Sequence, residues 1–260
     1  MKKFTTYSEI ENLCEAMIKD FMKRKHYTNA HCVDIEAFVT EYLGIPIVYE
    51  TFAEPDPGRI GFLSDGIRPL WVVRGNEKKQ VLFPKNTVVL EKYLQTQTEI
   101  GRKRFTIAHE GAHFVLSKHI PAQTDAYAAF HSEFDTEMVY SPEMLREKSA
   151  RVHYYKANSE RNKPISDWEE WQANTLGAAI LLPENLIKQG MYLFSLGEKI
   201  ECLNKIYYPS VYKRFDALAD FLGCSKKALA IRMKQLGLLK KEYLDNPFDL
   251  VTVYPEVSEL

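Results

Sequence analysis

Cysteine is scarce in this chain of 260 residues: Cys14, Cys32, Cys202 and Cys224 lie far apart and form no CxxC pair. That excludes a disulfide framework and a cysteine-built zinc site, and the expectation is four reduced, buried thiols in a cytoplasmic protein. Long apolar runs are missing too. No window approaches the roughly 18 consecutive apolar residues of a membrane span. The opening Met1-Lys2-Lys3-Phe4-Thr5-Thr6 carries lysines with no apolar run behind them, so no signal peptide is expected. Excess charge is absent, the formal net charge being −1, which argues against bulk electrostatic binding of nucleic acid or anionic membrane while leaving room for a local basic face. There is no internal repeat and no low-complexity tract. What remains is ordinary for a globular protein, with 45% hydrophobic and 27% charged residues, enough for a sizeable core in one large domain or one domain with an appendage.

Hydrophobic spacing predicts the elements. Ile10, Leu13, Cys14, Met17, Ile18 and Phe21 recur at helical intervals over 7–25. Val33 to Leu43 reads as a second helix that Gly44 stops, and Ile45-Pro46-Ile47-Val48-Tyr49-Glu50 begins an extended segment. Over 58–92, Gly61-Phe62-Leu63, Leu70-Trp71-Val72-Val73, Val81-Leu82-Phe83 and Val88-Val89-Leu90 are punctuated by Gly, Asp, Asn and Pro, as in an antiparallel meander. Residues 102–118 are helical. Residues 119–165 are polar and weakly patterned, an insertion with some helix near Pro142–Tyr154. A helical stretch over 167–189 is broken by Pro183, and two short helices follow around Gly223-Cys224-Ser225. The expected division is 1–200, 201–245 and a tail at 246–260.

The chemistry concentrates in His109-Glu110-Gly111-Ala112-His113. Two imidazoles four residues apart share one face of a helix, where they can take two corners of a tetrahedral Zn²⁺ while the intervening Glu faces the water in the open corner. Phe105, Ala108, Ala112, Val115 and Leu116 form the stripe that anchors this helix to the core, with the histidines on the stripe beside it. Gly111 is a poor helix residue whose use is to let another segment approach closely.

A third protein ligand is needed. His119, His131, His153 and many carboxylates are available, among them Glu133, Asp135 and Glu137. Glu170 is the best placed, because on a helix it shares a small-sided stripe with Ala173, Asn174 and Gly177, which could lie against the Gly111 side of the first helix. Trp168, Trp171, Leu176 and Ile180 face elsewhere and pack. A solvated glutamate in the first turn, favoured by the helix dipole, is an equal reading of Glu170, and Glu169 is its nearest rival.

Arg104-Phe105-Thr106-Ile107-Ala108-His109-Glu110-Gly111-Ala112-His113 resembles the R-F-T-x-A-H-E-x-x-H segment of the ImmA/IrrE family of metallo-endopeptidases. Glu170 to Pro183 resembles that family's E-x-x-A-N-x-F-A-A-x-L-L-M-P helix, with Leu176, Gly177 and Leu182 replacing Phe, Ala and Met. Val33 to Ile47 is similar to its entry helix and first strand, and Phe215 to Leu239 to its helix-turn-helix-like end. The resemblance implies an α+β fold, with a small antiparallel sheet on a helical zincin-like core and a helix-turn-helix-like lobe. By position it makes His109, His113 and Glu170 the Zn²⁺ ligands and Glu110 the catalytic base. It implies an intracellular protein substrate, a helix-turn-helix transcriptional repressor or an antitoxin-like regulator tied to a mobile element or stress response.

Metal-assisted peptide hydrolysis follows, with Glu110 passing the proton from water to the leaving amine. Mn²⁺ and Fe²⁺ also accept two histidines and a carboxylate. His131, His153, Tyr140 and Tyr154 are candidate donors to the oxyanion, Asn174 a candidate support for a ligand, and an exposed edge strand beside the metal helix could take an extended polypeptide. The alternative is a DNA-binding or protein-binding regulator with a structural or vestigial metal site, in which Gly223 makes the turn, Ser225 caps the second helix, and Lys226, Lys227, Arg232 and Lys234 supply cations. Lysines at those positions suit phosphate better than base edges, so a structural lobe is favoured over direct DNA recognition.

Overall fold

The fold is described from a computed structural model, which covers residues 6–26, 31–53, 60–119 and 164–249. Residues 120–163, with the expected helix near Pro142–Tyr154 and the candidates His131, His153, Tyr140, Tyr154, Glu133, Asp135 and Glu137, lie outside the described residues, as do 250–260 of the expected tail. The architecture is α+β, with small sheets of two and three strands. Two compact units divide it between Leu181 and Leu182, ahead of the boundary at 200; the first holds the described residues up to 181 apart from 31–32, which belong with the second.

In the first unit, α1 (Tyr7–Arg24) starts at Thr6, whose hydroxyl accepts from Glu9 N while Thr6 N donates to the Glu9 carboxylate, a capping box that pairs two otherwise orphaned donors. Ile10, Cys14, Met17, Ile18 and Phe21 are buried, as their spacing predicts. The helix expected over 33–43 is two pieces. α2 (Ile35–Ala37) is capped by Asp34, and a π-helical turn (Phe38–Tyr42) carries it to Gly44, whose φ of 71° ends it. Arg104 donates to Val33 O at 3.1 Å just ahead of this entry.

The sheet departs from the expected antiparallel meander. Strands β1 (Ile47–Glu50), β2 (Gly61–Leu63) and β5 (Val88–Glu91) form one sheet in the order β1-β5-β2, and β1 runs parallel to β5, with Ile47 opposite Val88. Only β2 is antiparallel to β5. The physical reason is burial: all four residues of β5 are inside, so it takes the centre and needs a partner on each side. Strands β3 (Leu70–Arg74) and β4 (Glu77–Val81) form a separate hairpin, joined to the chain after β1 by a bridge between Phe52 and Val72. Leu82 and Phe83, expected in a strand, lie beyond β4, which runs instead through Glu77-Lys78-Lys79-Gln80; exposed on an edge, those residues carry no apolar signal. The Glu91 carboxylate accepts from Phe52 N at 2.9 Å and so ties the sheet to this extension.

Two long helices complete the unit. Among the described residues, α3 (Ile100–His119) and α4 (Pro164–Leu181) make the most extensive helix contact, and α1 packs on α4. α3 also lies against β2, where a side chain on Gly61 would stand 2.6 Å from the Thr106 methyl.

In the second unit, Pro183 breaks the predicted helix as expected and α5 (Glu184–Leu193) begins behind it. Then come β6 (Ile200–Leu203), α6 (Pro209–Phe221), α7 (Lys226–Gln235) and β7 (Leu239–Glu242). β6 and β7 pair in parallel, two strands that the sequence pattern had not revealed. α6 and α7 flank Gly223, at φ 65°, and Ser225 caps α7 by accepting from Ala228 N at 3.1 Å. The expected burial of all four thiols holds only for Cys14; Cys32, Cys202 and Cys224 are half-buried, because each sits at a turn or an edge strand with one side open.

Candidate metal centre

α3 is enclosed through its middle, from Thr106 to Ala112. The anchoring stripe is confirmed at Ala108, Ala112, Val115 and Leu116, with Phe105 half-buried and its ring stacked 6.3 Å from that of His109. His109 is 1% exposed, far more enclosed than an edge position, whereas His113 is half-buried. Glu110, between them in sequence, is 2% exposed. A buried carboxylate one residue from a buried imidazole is expensive to keep in a helix without a purpose.

Glu170 is delivered by α4. Its Oε2 lies 3.4 Å from His109 Nε2 and its Oε1 3.4 Å from His113 Nε2, while the two Nε2 atoms are 3.0 Å apart. Among the described residues, these three side chains are the one group of histidine, cysteine or carboxylate donors gathered closely enough to hold a metal ion. Bonds of roughly 2.0–2.1 Å to a tetrahedral Zn²⁺ put neighbouring donor atoms about 3.3 Å apart. The two carboxylate–imidazole separations match that edge and the Nε2–Nε2 separation is somewhat shorter, so the donor set is of a kind and size that could hold such an ion. Glu169, the rival third ligand, is exposed and outside the group. The His119 side chain lies outside the described residues.

The charges are mutually supporting. Burial alone would raise the Glu170 carboxyl, but the imidazoles of His109 and His113, each 3.4 Å away, bring it down to about 2. Burial pushes His113 toward its neutral form, and Glu170, with Glu110 and Glu169 behind it, more than reverses that and raises it. Two imidazoles and an ionised carboxylate thus converge at one point, a group that could hold a metal ion.

One expectation is corrected. Gly111 does not admit α4: a side chain there would stand 3.0 Å from Val39 Cγ2 and 3.6 Å from Leu43 Cδ1, so its bare backbone seats the π-helical turn. The close approach of α4 uses Gly177, where an added Cβ would lie 3.1 Å from His109 Cα and 3.1 Å from His109 N. α4 therefore rests on the backbone of His109, opposite the face that Gly111 serves. Ala173, Leu176 and Ile180 are fully buried, and Trp168 stacks on Trp171 at 4.4 Å, fixing the turn that carries Glu170. Asn174 is half-buried on the same stripe as Glu170.

The cations of α7 are already engaged. Lys226 pairs with Asp216 at 2.8 Å, Lys227 with Asp245 at 2.6 Å, and Lys234 with Glu242 at 3.3 Å. Arg232 is 1% exposed and donates to Leu182 O at 3.1 Å. Among the described residues, no helix is long and apolar enough to cross a membrane. No protein-family model matches the chain, and no curated protein matches it.

Proposed function

We propose that this chain is a zinc-dependent endopeptidase of the ImmA/IrrE type, hydrolysing a peptide bond in a specific intracellular protein. The observation that carries the reading is the triangle of His109, His113 and Glu170, with edges of 3.0, 3.4 and 3.4 Å, and the buried Glu110 beside it. A Zn²⁺ ion held by the three would supply a Lewis acid and lower the pKa of the attacking water to about 7. Glu110 is the residue left to take the proton from that water and return it to the leaving amine, since His109 and His113 spend their Nε2 atoms as ligands. Burial holds His109 in one orientation, and α4 holds Glu170 across from it.

Substrate geometry has support in β2. Among the described residues it pairs only with β5, and it packs on α3. Glu91 N donates to Ile60 O and Ser64 N to Thr87 O, so the alternation along a strand turns the N–H and C=O of Gly61 and Leu63 away from β5. An extended polypeptide could add there as a further strand. A helix-turn-helix repressor or antitoxin-like regulator as substrate rests on the resemblance of the motifs. DNA binding by α7 draws no support from its lysines, each of which faces a carboxylate of its own unit.

Glu110→Gln tests the reading. The variant should keep its zinc, measured by atomic absorption on the purified protein, and lose roughly 10²–10⁴-fold in cleavage rate, the range for removing a general base. The assay follows a co-expressed small helix-turn-helix protein by mass spectrometry. Undiminished cleavage by Glu110→Gln, or by protein stripped of metal, would sink the proposal.

A further inference from the structure

We propose that the open edge of β4 is a docking site for an acidic, extended segment of another polypeptide. Among the described residues β4 pairs only with β3. The far side of β3 is taken by the chain after β1, where Val73 N donates to Thr51 O at 2.8 Å and Ala53 N to Trp71 O at 2.9 Å. The main-chain groups of Trp71 and Val73 therefore face away from β4. By the alternation of an antiparallel ladder, those of their partners Gln80 and Lys78 face away from β3. The N–H and C=O of both residues thus stand in a row, spaced as a further strand would use them. Nothing in this surface depends on the metal centre.

The side chains around the edge select the partner. Leu70, Val72, Val81 and Phe83 turn inward and pack with Phe52 and Val89. The opposite face carries Trp71 across from Gln80, then Leu82, and both Trp71 and Leu82 are exposed. Leu82 shares a shallow surface depression with Lys85 and with Ile67, which is 79% exposed. Each carboxylate over 64–86 is matched: Asp65 pairs with Arg68 at 2.6 Å and Glu77 with Lys79 at 2.9 Å, while Arg74 pairs with Glu50. Lys78 and Lys85 are left over, with no ion pair among the described residues. Lysines alone would guard an edge against pairing. A guarded edge has no use for exposed Trp71, Leu82 and Ile67 beside it, because apolar surface favours the contact that lysine deters. An antiparallel partner would set an apolar side chain beside Leu82 and, three and four residues later, carboxylates beside Lys79 and Lys78. A second copy of β4 fits poorly, since antiparallel pairing centred on Lys78 and Lys79 sets lysine against lysine. A nucleic acid would use the lysines and leave the row of N–H and C=O groups unmatched.

The test uses the full chain carrying Glu110→Gln, so that cleavage cannot remove the probe. The probe is the fluorescein-labelled peptide Leu-Thr-Val-Glu-Glu-Thr, capped at both ends, with binding read by anisotropy and its place by amide hydrogen exchange. It should bind saturably and slow exchange at Lys78 and Gln80. Binding should weaken about tenfold when Lys78→Glu sets like charges together, and equally when lysines replace the glutamates of the probe. Gln80→Pro removes one outward N–H at an edge position where proline is tolerated, so it should weaken binding with the urea midpoint little changed. Methylating alternate amide nitrogens of the probe should abolish binding. A probe that does not bind would leave β4 a lysine-guarded edge and overturn the proposal. Binding that slows exchange at Gly61 and Leu63 instead, or that Lys78→Glu and Gln80→Pro leave unchanged, would place the peptide elsewhere and overturn it too. So would a labelled thymidine oligonucleotide bound more tightly than the peptide, or dimers in the ultracentrifuge that Gln80→Pro dissolves, which would make the occupant a second copy.

Discussion

Asn204 shows how much a single buried polar side chain can organise. It is fully buried, its Oδ1 accepts from Ile206 N at 2.8 Å and Tyr207 N at 3.0 Å, and its Nδ2 donates to Pro247 O at 2.7 Å. One side chain thus shapes the turn into α6 and pins the loop after β7 to it. Asn204→Ala leaves two N–H groups and a carbonyl without these partners, and the expected cost is about 2–3 kcal/mol. A urea midpoint unchanged from the natural chain would contradict that. At the proposed metal centre the residues are fixed in the same way by what lies behind them: Phe105 stacks on His109, and the Trp168–Trp171 pair holds the turn that bears Glu170. Glu170→Ala should leave the fold intact and reduce zinc content below that of the natural chain in equilibrium dialysis, because two imidazoles alone make an incomplete site.

Among the elements, β7 and α7 are linked through Glu242, which accepts from Leu244 N at 3.0 Å and pairs with Lys234 and Lys227. Burial alone would raise its carboxyl, but the Leu244 N–H and the two lysines outweigh that and lower it from the ordinary 4.5. A carboxyl lowered by folding stabilises the folded state at pH values above 4.5. That contribution shrinks as pH falls through the folded value, where protonation cancels the ion pairs. Glu242→Gln should therefore be less stable than the natural chain near pH 7 and converge with it in acid. Parallel stability–pH curves for the two chains would refute this account. The cap of α7 is separable: Ser225→Ala removes the acceptor for Ala228 N and should cost about 1 kcal/mol at any of these pH values.

For the whole molecule, the proposed metal site would couple binding to folding, because its three side chains come from two helices that only the folded first unit brings together. Zn²⁺ at about 1,000 times its dissociation constant should add about 4 kcal/mol of apparent stability. Calorimetry with and without chelator checks this, and His113→Ala should abolish the difference. A chelator effect that survives in His113→Ala would place the metal elsewhere.

The local parts of this protein were legible in the sequence because they depend on nearest neighbours along the chain. The i, i+4 histidines, the stripe of Ala108, Ala112, Val115 and Leu116, the stop at Gly44 and the break at Pro183 all follow from helical periodicity and backbone preference. Glu170 stood level with a solvated glutamate on those grounds, and only the packing of α4 on α3 shows it beside the two imidazoles. The parallel pairing of β1 with β5 was likewise beyond local pattern, since partner choice depends on which strand is buried on both faces. β4, β6 and β7 escaped notice because short or polar edge strands carry little apolar alternation. Gly111 and Gly177 make the point most directly: one read as a poor helix residue and the other as part of a small-sided stripe, and only the tertiary structure assigns the first to Val39 and the second to the backbone of His109. A missing side chain has no meaning along the chain, and acquires one from what fills the space it leaves.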